Sequence, residues 1–210
     1  ESPSPALSEE QRAALGALSV RLAKAGGYVN AGTMEFLSQD GKFYFNEMNT
    51  RLQVEHPVSE LVTGIDIVAE QLRVAAGHPL SVRQTDVALD GHAIEVRINA
   101  EDPEQGFRPS PGRLERFAFA LDRGPGRVRV DTHLAAGETV PPHYDSLIAK
   151  LIAHGRDRAE AIATALAALE GAQIEGVATT VPLARAILSS EAFATGDYDT
   201  RTIPGFAPTR

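Results

Sequence analysis

The 210 residues contain no cysteine, which excludes a disulfide framework and thiolate chemistry. No apolar run approaches the length that crosses a bilayer, and no signal-peptide pattern opens the sequence. The expectation is a cytoplasmic protein with no membrane partner. A formal net charge of −8 disfavours nucleic acid as a partner. A glycine-rich phosphate loop is absent: Gly124-Pro125-Gly126 stands between predicted strands and reads as a turn. Lysine is scarce. Only Lys24, Lys42 and Lys150 occur among 20 basic residues, and none has a setting suited to nucleotide phosphates. Lys42 is at a predicted hairpin tip, Lys24 on an amphipathic helix and Lys150 in a predicted strand. There is no internal repeat.

What remains is an ordinary globular composition, 43% hydrophobic and 23% charged, long enough for one domain or two small ones. The expected class is α+β. Glu1 to Leu7, rich in Pro and Ser, reads as a connector. Ser8-Glu9-Glu10-Gln11 is a capping-box pattern that opens a helix to about Ala25, with Leu15, Leu18 and Leu22 as its apolar stripe and Gly26-Gly27 as its stop. Gly32 to Leu37 and Lys42 to Phe45 read as a hairpin. Helices follow at Val58 to Val62 and Ile65 to Ala76, the second stopped by Gly77 and Pro79. From Gly91 the period becomes two. His92, Ile94, Val96 and Ile98 share one face; Ala93, Glu95, Arg97 and Asn99 share the other, the polar one. Further strands are predicted at Arg113 to Phe119, Val128 to Thr132 and Leu147 to His154. Asp157 to Gln173 and Thr180 to Ser189 read as helices, with Asp157 as an N-cap and Pro182 in a first turn. A boundary between Gly77 and Gly91 divides the chain into residues 1–80 and 81–210.

The chemistry concentrates between Phe43 and Val58. Glu47, Asn49, Arg51, Gln53 and Glu55 all fall on odd positions, so in extended backbone they share a face. His56 precedes Pro57, which prolongs the extended geometry. Two carboxylates and a guanidinium in one row suit a metal and an anion held together. The flanking runs Phe43 to Phe45 and Leu61 to Val68 are predicted to be buried. Turn length decides what Glu35 can join. A two-residue Asp40-Gly41 loop would put Glu35 and Glu47 on opposite faces. A three-residue loop, Gln39-Asp40-Gly41 with Gly41 left-handed, puts them on one face with Asn49, and is the expectation here. Glu35, Glu47 and Asn49 then form an all-oxygen set that suits Mg2+ or Mn2+ better than zinc.

The run Glu47-Met-Asn-Thr-Arg-Leu-Gln-Val-Glu-His-Pro-Val-Ser-Glu60 resembles the signature of biotin carboxylases, within the ATP-grasp superfamily. The resemblance continues through Leu61-Val-Thr-Gly-Ile-Asp66, Arg97-Ile-Asn-Ala-Glu-Asp-Pro103, Pro109-Ser-Pro-Gly112 and Tyr144-Asp-Ser146, and covers about Glu1 to Phe206. It implies the C-terminal part of an ATP-grasp domain followed by a biotin carboxylase C-terminal domain, with a mainly antiparallel sheet and helices. It implies a ligase that uses ATP and bicarbonate to carboxylate the ureido nitrogen of biotin through carboxyphosphate. The implied cofactors are Mg2+ or Mn2+, ATP and biotin on a separate carrier. The implied partners are that biotin carboxyl carrier, a carboxyltransferase and, in the whole protein, a second copy as a homodimer.

By the same resemblance Glu35, Glu47 and Asn49 match metal ligands. Arg51, Gln53 and the Val54 backbone amide match the bicarbonate site. Glu55 matches the base that deprotonates bicarbonate. Arg97 matches the arginine that stabilises the biotin enolate. Arg51, Glu55 and Arg97 are therefore the catalytic candidates. His56 is read as a support for loop geometry, His92 as a core-edge histidine, and Tyr144-Asp145-Ser146 as a structured turn. Such enzymes take most ATP contacts from an N-terminal domain and a glycine-rich lid. The chain is expected to start after both and to be inactive alone. Met34 and Met48 adjoin no lysine, so no biotin-carrying segment is expected. Two other classes stay open: a non-catalytic dimerisation or assembly module, and a different ATP-grasp carboxylate ligase. The final acceptor (acetyl-CoA, propionyl-CoA, pyruvate or urea) is left undefined.

Overall fold

The computed structural model describes residues 1–199. The end of the family resemblance, at Phe206, lies outside the described residues. The described residues divide into two compact units: Pro3–Leu89, and Glu1–Ser2 together with the described residues from Asp90 onward. Among the described residues no helix is long and apolar enough to cross a membrane.

The N-terminal unit begins with α1 (Glu9–Ala25). Its capping box forms as the sequence dictates: Ser8 Oγ accepts from Gln11 N, and Gln11 Oε1 accepts from Ser8 N. Two otherwise orphaned helix-end amides are satisfied within four residues of chain. Leu15 and Leu18 are half-buried, but Leu22 is exposed. Strands β1 (Thr33–Gln39) and β2 (Lys42–Asn49) make an isolated antiparallel hairpin. The expected burial of Phe43 to Phe45 does not hold: Tyr44 and Phe45 are each more than half exposed. A two-stranded ribbon has no second layer to cover both faces. Helices α2 (His56–Thr63) and α3 (Ile67–Ala75) follow. Pro57, Val58 and Val62 of α2 are buried, as is the carboxylate-bearing Glu60, whose Oε1 accepts from Ile67 N at 2.8 Å and braces the joint into α3.

The C-terminal unit is built on β3 (His92–Asn99). Short strands β4 (Glu101–Asp102), β5 (Arg108–Pro109), β6 (Gly112–Arg113) and β7 (Arg116–Ala118) come next. They are followed by β8 (Arg127–Asp131), β9 (Thr139–Val140), β10 (Leu147–Gly155), α4 (Arg158–Glu170), β11 (Gln173–Glu175), α5 (Val181–Leu188) and α6 (Glu191–Thr195). The main sheet has the order β3-β10-β8, all antiparallel. Ile94, Val96 and Ile98 of β3 join Leu151 and Ala153 of β10 and Ala161, Ala165 and Leu169 of α4 in one core. Alanine on α4 lets the helix approach closely. A Cβ on Gly155 would lie 2.5 Å from Ala161 N, so glycine is required where β10 runs into α4.

Two predicted elements are redrawn. Arg113 to Phe119 is not one strand, because consecutive amides bond different partners: Leu114 N donates to Glu138 O and Glu115 N to Glu175 O. The helix expected to reach Gln173 stops at Glu170, with Gly171 as its cap, and Gln173 pairs with Ala118. Glu1 is also no simple connector. Ser2 and Ala93 exchange two backbone hydrogen bonds of 2.8 Å, which anchors the chain start on the edge of β3.

Candidate functional site

The hairpin turn is tighter than expected. Gln39 pairs with Lys42, so the loop is Asp40-Gly41 alone. Both residues are left-handed, with φ of 52° and 71°. That is the requirement of the two-residue turn whose twist matches the flanking strands, and Asp-Gly meets it readily. The three-residue loop is therefore wrong, although Gly41 is left-handed as expected. A regular ladder from this turn would set Glu35 opposite Asn46. Instead the register shifts between Glu35 and Phe36: Phe36 faces Phe45, while Glu35 faces Glu47. Asn46 is the extra residue of a β-bulge. The bulge restores by another route the juxtaposition of Glu35 and Glu47.

These carboxylates share one amide. Asn49 Nδ2 donates to Glu35 Oε1 at 2.7 Å and to Glu47 Oε1 at 3.1 Å. Gln53 Nε2 donates to the same Glu35 oxygen at 2.8 Å. Glu35, Glu47, Asn49 and Gln53 are thus one hydrogen-bonded cluster. Two like charges converge there, held by neutral amides, and a cation bound between them would lower their repulsion. Among the described residues no group of three or more His, Cys, Asp or Glu could hold a metal, so this cluster offers two carboxylates and an amide.

The extended row does not continue to Glu55. β2 ends at Asn49, Val54 and Glu55 lie in a turn, and α2 starts at His56. Pro57 is in the first turn of α2, where its fixed φ suits a helix start. That preference prevails over the extended bias it places on His56. His56 Nδ1 lies 2.8 Å from Gln53 O, so the ring braces the turn. Arg51 is exposed, with Nη1 3.4 Å from Leu52 O, and Glu55 is exposed at the α2 N-cap without capping the helix by its side chain.

Arg97 belongs to the C-terminal unit. It projects from the polar face of β3 with its side chain exposed, as the alternation predicted, and is the cross-strand partner of Lys150. Lys150 Nζ is 3.6 Å from Asp131 Oδ2. Burial would raise the Asp131 pKa, but the hydrogen bond and charge of Arg129 with the charge of Lys150 lower it. Arg97, Asn99, Glu101 and Thr180 line a cavity of about 390 Å³ whose other wall is apolar, including Phe107 and Leu183. Asn99 Nδ2 donates to Glu101 Oε1 and Ser146 Oγ, and Ser146 Oγ donates to Glu101 Oε1.

Glu1, which the sequence placed in a connector, is a half-buried hub. Its carboxylate accepts from His92 Nε2 at 2.9 Å, Arg158 Nε at 2.6 Å and Tyr198 Oη at 2.7 Å. Burial alone would raise its pKa; the hydrogen bonds from His92, Arg158 and Tyr198 outweigh this and hold it at about 2. Burial and the hydrogen bond to Glu1 push Tyr198 up to about 12. No local pattern signals this role, since the partners are up to 197 residues away.

Residues 95–205 match the biotin carboxylase C-terminal domain family, and residues 1–83 match the ATP-binding domain of the carbamoyl-phosphate synthase L chain. The biotin carboxylase of Allochromatium vinosum is 52% identical over 93% of this chain and 43% of its own length. The biotin carboxylase domain dimer of Hydrogenobacter thermophilus 2-oxoglutarate carboxylase was solved with MgADP, ADP and bicarbonate. It superposes with a TM-score of 0.91 at 47% identity, over 95% of this chain and 44% of that one. Kluyveromyces lactis urea carboxylase gives 0.91 at 39% identity over 98% of this chain and 18% of that one. The chain therefore spans less than half the length of these relatives. By the C-terminal family match, which alone spans more than half of the chain, and by these likenesses, the chain belongs to the biotin carboxylase family.

Proposed function

We propose that this chain is the metal-binding and bicarbonate-binding part, with the following C-terminal domain, of an ATP-dependent biotin carboxylase. Residues 1–80 are then the end of its ATP-grasp domain and residues 81–210 its C-terminal domain. The observation that supports it most is the bulge that sets Glu35 opposite Glu47 and closes both carboxylates on Asn49. This donor set fits a hard divalent cation, because all three side chains offer oxygen and the carboxylates already converge. Asn49 must turn its amide over, since Nδ2 now faces the carboxylates. Magnesium or manganese held there would neutralise charge on nucleotide phosphate oxygens.

The remaining roles belong to the turn and to β3. Arg51 presents a planar fork that fits bicarbonate bidentately, with Gln53 and the Val54 amide as further donors. Glu55, exposed at the start of α2, takes the bicarbonate proton and so raises the nucleophilicity of the oxygen that attacks the γ-phosphate. Carboxyphosphate then splits into carbon dioxide and phosphate, the phosphate takes the ureido N–H proton, and Arg97 stabilises the negative charge left on the ureido oxygen of biotin as the nitrogen bonds the carbon dioxide. In this reading biotin arrives on a separate carrier, a carboxyltransferase uses the product, and the whole enzyme is a cytoplasmic homodimer. The Hydrogenobacter thermophilus domain, solved as a dimer with MgADP and bicarbonate, supports the substrates and the pairing.

The test is ADP release dependent on both bicarbonate and biotin, by a protein of the relatives' full length that carries this sequence. Activity that needs biotin and is lost in Arg51→Ala supports the reading. ATP turnover with another carboxylate acceptor but not with biotin would replace it by a different ATP-grasp ligase.

A further inference from the structure

Thr180 is the N-cap of α5, yet its hydroxyl makes no capping hydrogen bond. A threonine there ordinarily accepts from an amide in the first turn and so stabilises the helix start. Pro182, in the same turn, has no amide to offer. The hydroxyl reaches β3 instead. Thr180 Oγ1 accepts from Asn99 N at 3.0 Å and donates to Arg97 O at 3.3 Å, and Thr180 N donates to Asn99 O at 3.1 Å. One residue thus makes three bonds to the stretch that carries Arg97, across 81 and 83 residues of chain.

The inner side of β3 is irregular at the same place. Leu147 pairs with Asn99 and Ala149 with Ile98, so Ile148 is an extra residue and the ladder to β10 shifts between Asn99 and Ile98, just past the regular Arg97–Lys150 pair. β3 is also the outer strand of its sheet. At Arg97, β3 is held by β10 on one side only, next to a bulge, so its outer side depends on Thr180, and guanidinium placement against a developing charge tolerates little error. Thr180 lines the same cavity as Arg97.

We infer that Thr180 is a positioning residue for Arg97: its hydroxyl straps the edge of β3 and fixes the backbone from which the guanidinium projects. This rests on the reading that Arg97 serves the biotin acceptor. The experiment compares Thr180→Val, which keeps shape and loses the hydroxyl, with Thr180→Ser, which keeps the hydroxyl. Both are made in the full-length enzyme with free biotin as acceptor, and Arg97→Ala is the control. Thr180→Val is expected to lower kcat/KM for biotin on the order of tenfold more than it lowers biotin-independent, bicarbonate-dependent ATP hydrolysis. Thr180→Ser is expected to restore it to within about twofold of the parent. Amide exchange at Asn99 should quicken in the valine variant and stay slow in the serine variant. If Arg97→Ala loses biotin carboxylation but Thr180→Val does not, the strap is overturned and the role of Arg97 stands. If Thr180→Val lowers both activities equally together with the thermal midpoint, the hydroxyl is merely structural and the inference falls. If Arg97→Ala leaves kcat/KM for biotin intact, the reading of Arg97 fails and takes the strap with it.

Discussion

Glu35 lies directly opposite Glu47 across the β1–β2 hairpin, although the two-residue turn by itself would set it opposite Asn46. The bulge at Asn46 decides which acidic residue completes the pair. Phe36 and Phe45, edge-to-face at 5.9 Å between ring centroids, hold the register on the turn side, and Met34 opposite Met48 holds it on the other. The alignment of the two carboxylates is therefore a packing result as much as a turn result.

Glu47→Gln in the full-length enzyme keeps the side-chain shape but removes half of the converging charge. The magnesium concentration for half-maximal activity should rise about tenfold or more, with lower turnover at saturation. Titration of activity against magnesium checks this. An unchanged metal requirement would remove Glu47 from the ligand set.

Glu55→Gln and Arg97→Ala should fail differently. Without its proton acceptor the Gln variant should lose bicarbonate-dependent ATP hydrolysis by roughly a hundredfold, with little change in ATP affinity. Arg97→Ala should retain more of that hydrolysis and lose carboxylation of biotin, because it acts on the acceptor. Measuring both activities in each folded variant separates the roles, and the reverse pattern would exchange them.

The Glu1 hub predicts acid sensitivity. The Glu1 carboxyl is held at about 2, below its ordinary value of 4.5, so it contributes stability above pH 4.5 that is lost as the pH falls toward 2. Discounted for solvent screening of a half-buried group, Glu1→Gln should therefore destabilise the chain at neutral pH by about 1–2 kcal/mol. The gap to the parent should close on acidification toward pH 2. Urea midpoints across that range test it; a pH-independent gap would assign the effect to packing instead of charge.

The 210-residue chain alone should show no bicarbonate-dependent ATP hydrolysis and only weak magnesium binding. It has two carboxylates and an amide for the ion, and magnesium gives up water reluctantly. Its lysines offer no phosphate cradle, Lys150 being engaged with Asp131. Phosphate release and calorimetric titration with magnesium are the measurements. Biotin-dependent turnover by this chain would contradict the expectation.

What the sequence determined by itself was local or strictly periodic. The Ser8–Gln11 capping box closes within four residues, and the alternation of β3 puts Ile94, Val96 and Ile98 in the core and leaves Arg97 exposed. Asp157 and Pro182 marked the starts of α4 and α5 for the same reason. The run from Glu47 to Glu60 carried the family likeness without any structure. Tertiary structure decided the rest. The extended row assumed through Glu55 bends at the turn before α2, because Pro57 favours a helix start. The bulge at Asn46 depends on cross-strand packing that no turn rule contains. Glu1 finds Arg158 at a separation of 157 residues, and Thr180 finds Arg97 at 83. Such partners are brought together only when the core closes, since a side chain's own neighbours in sequence do not encode which distant backbone it will meet.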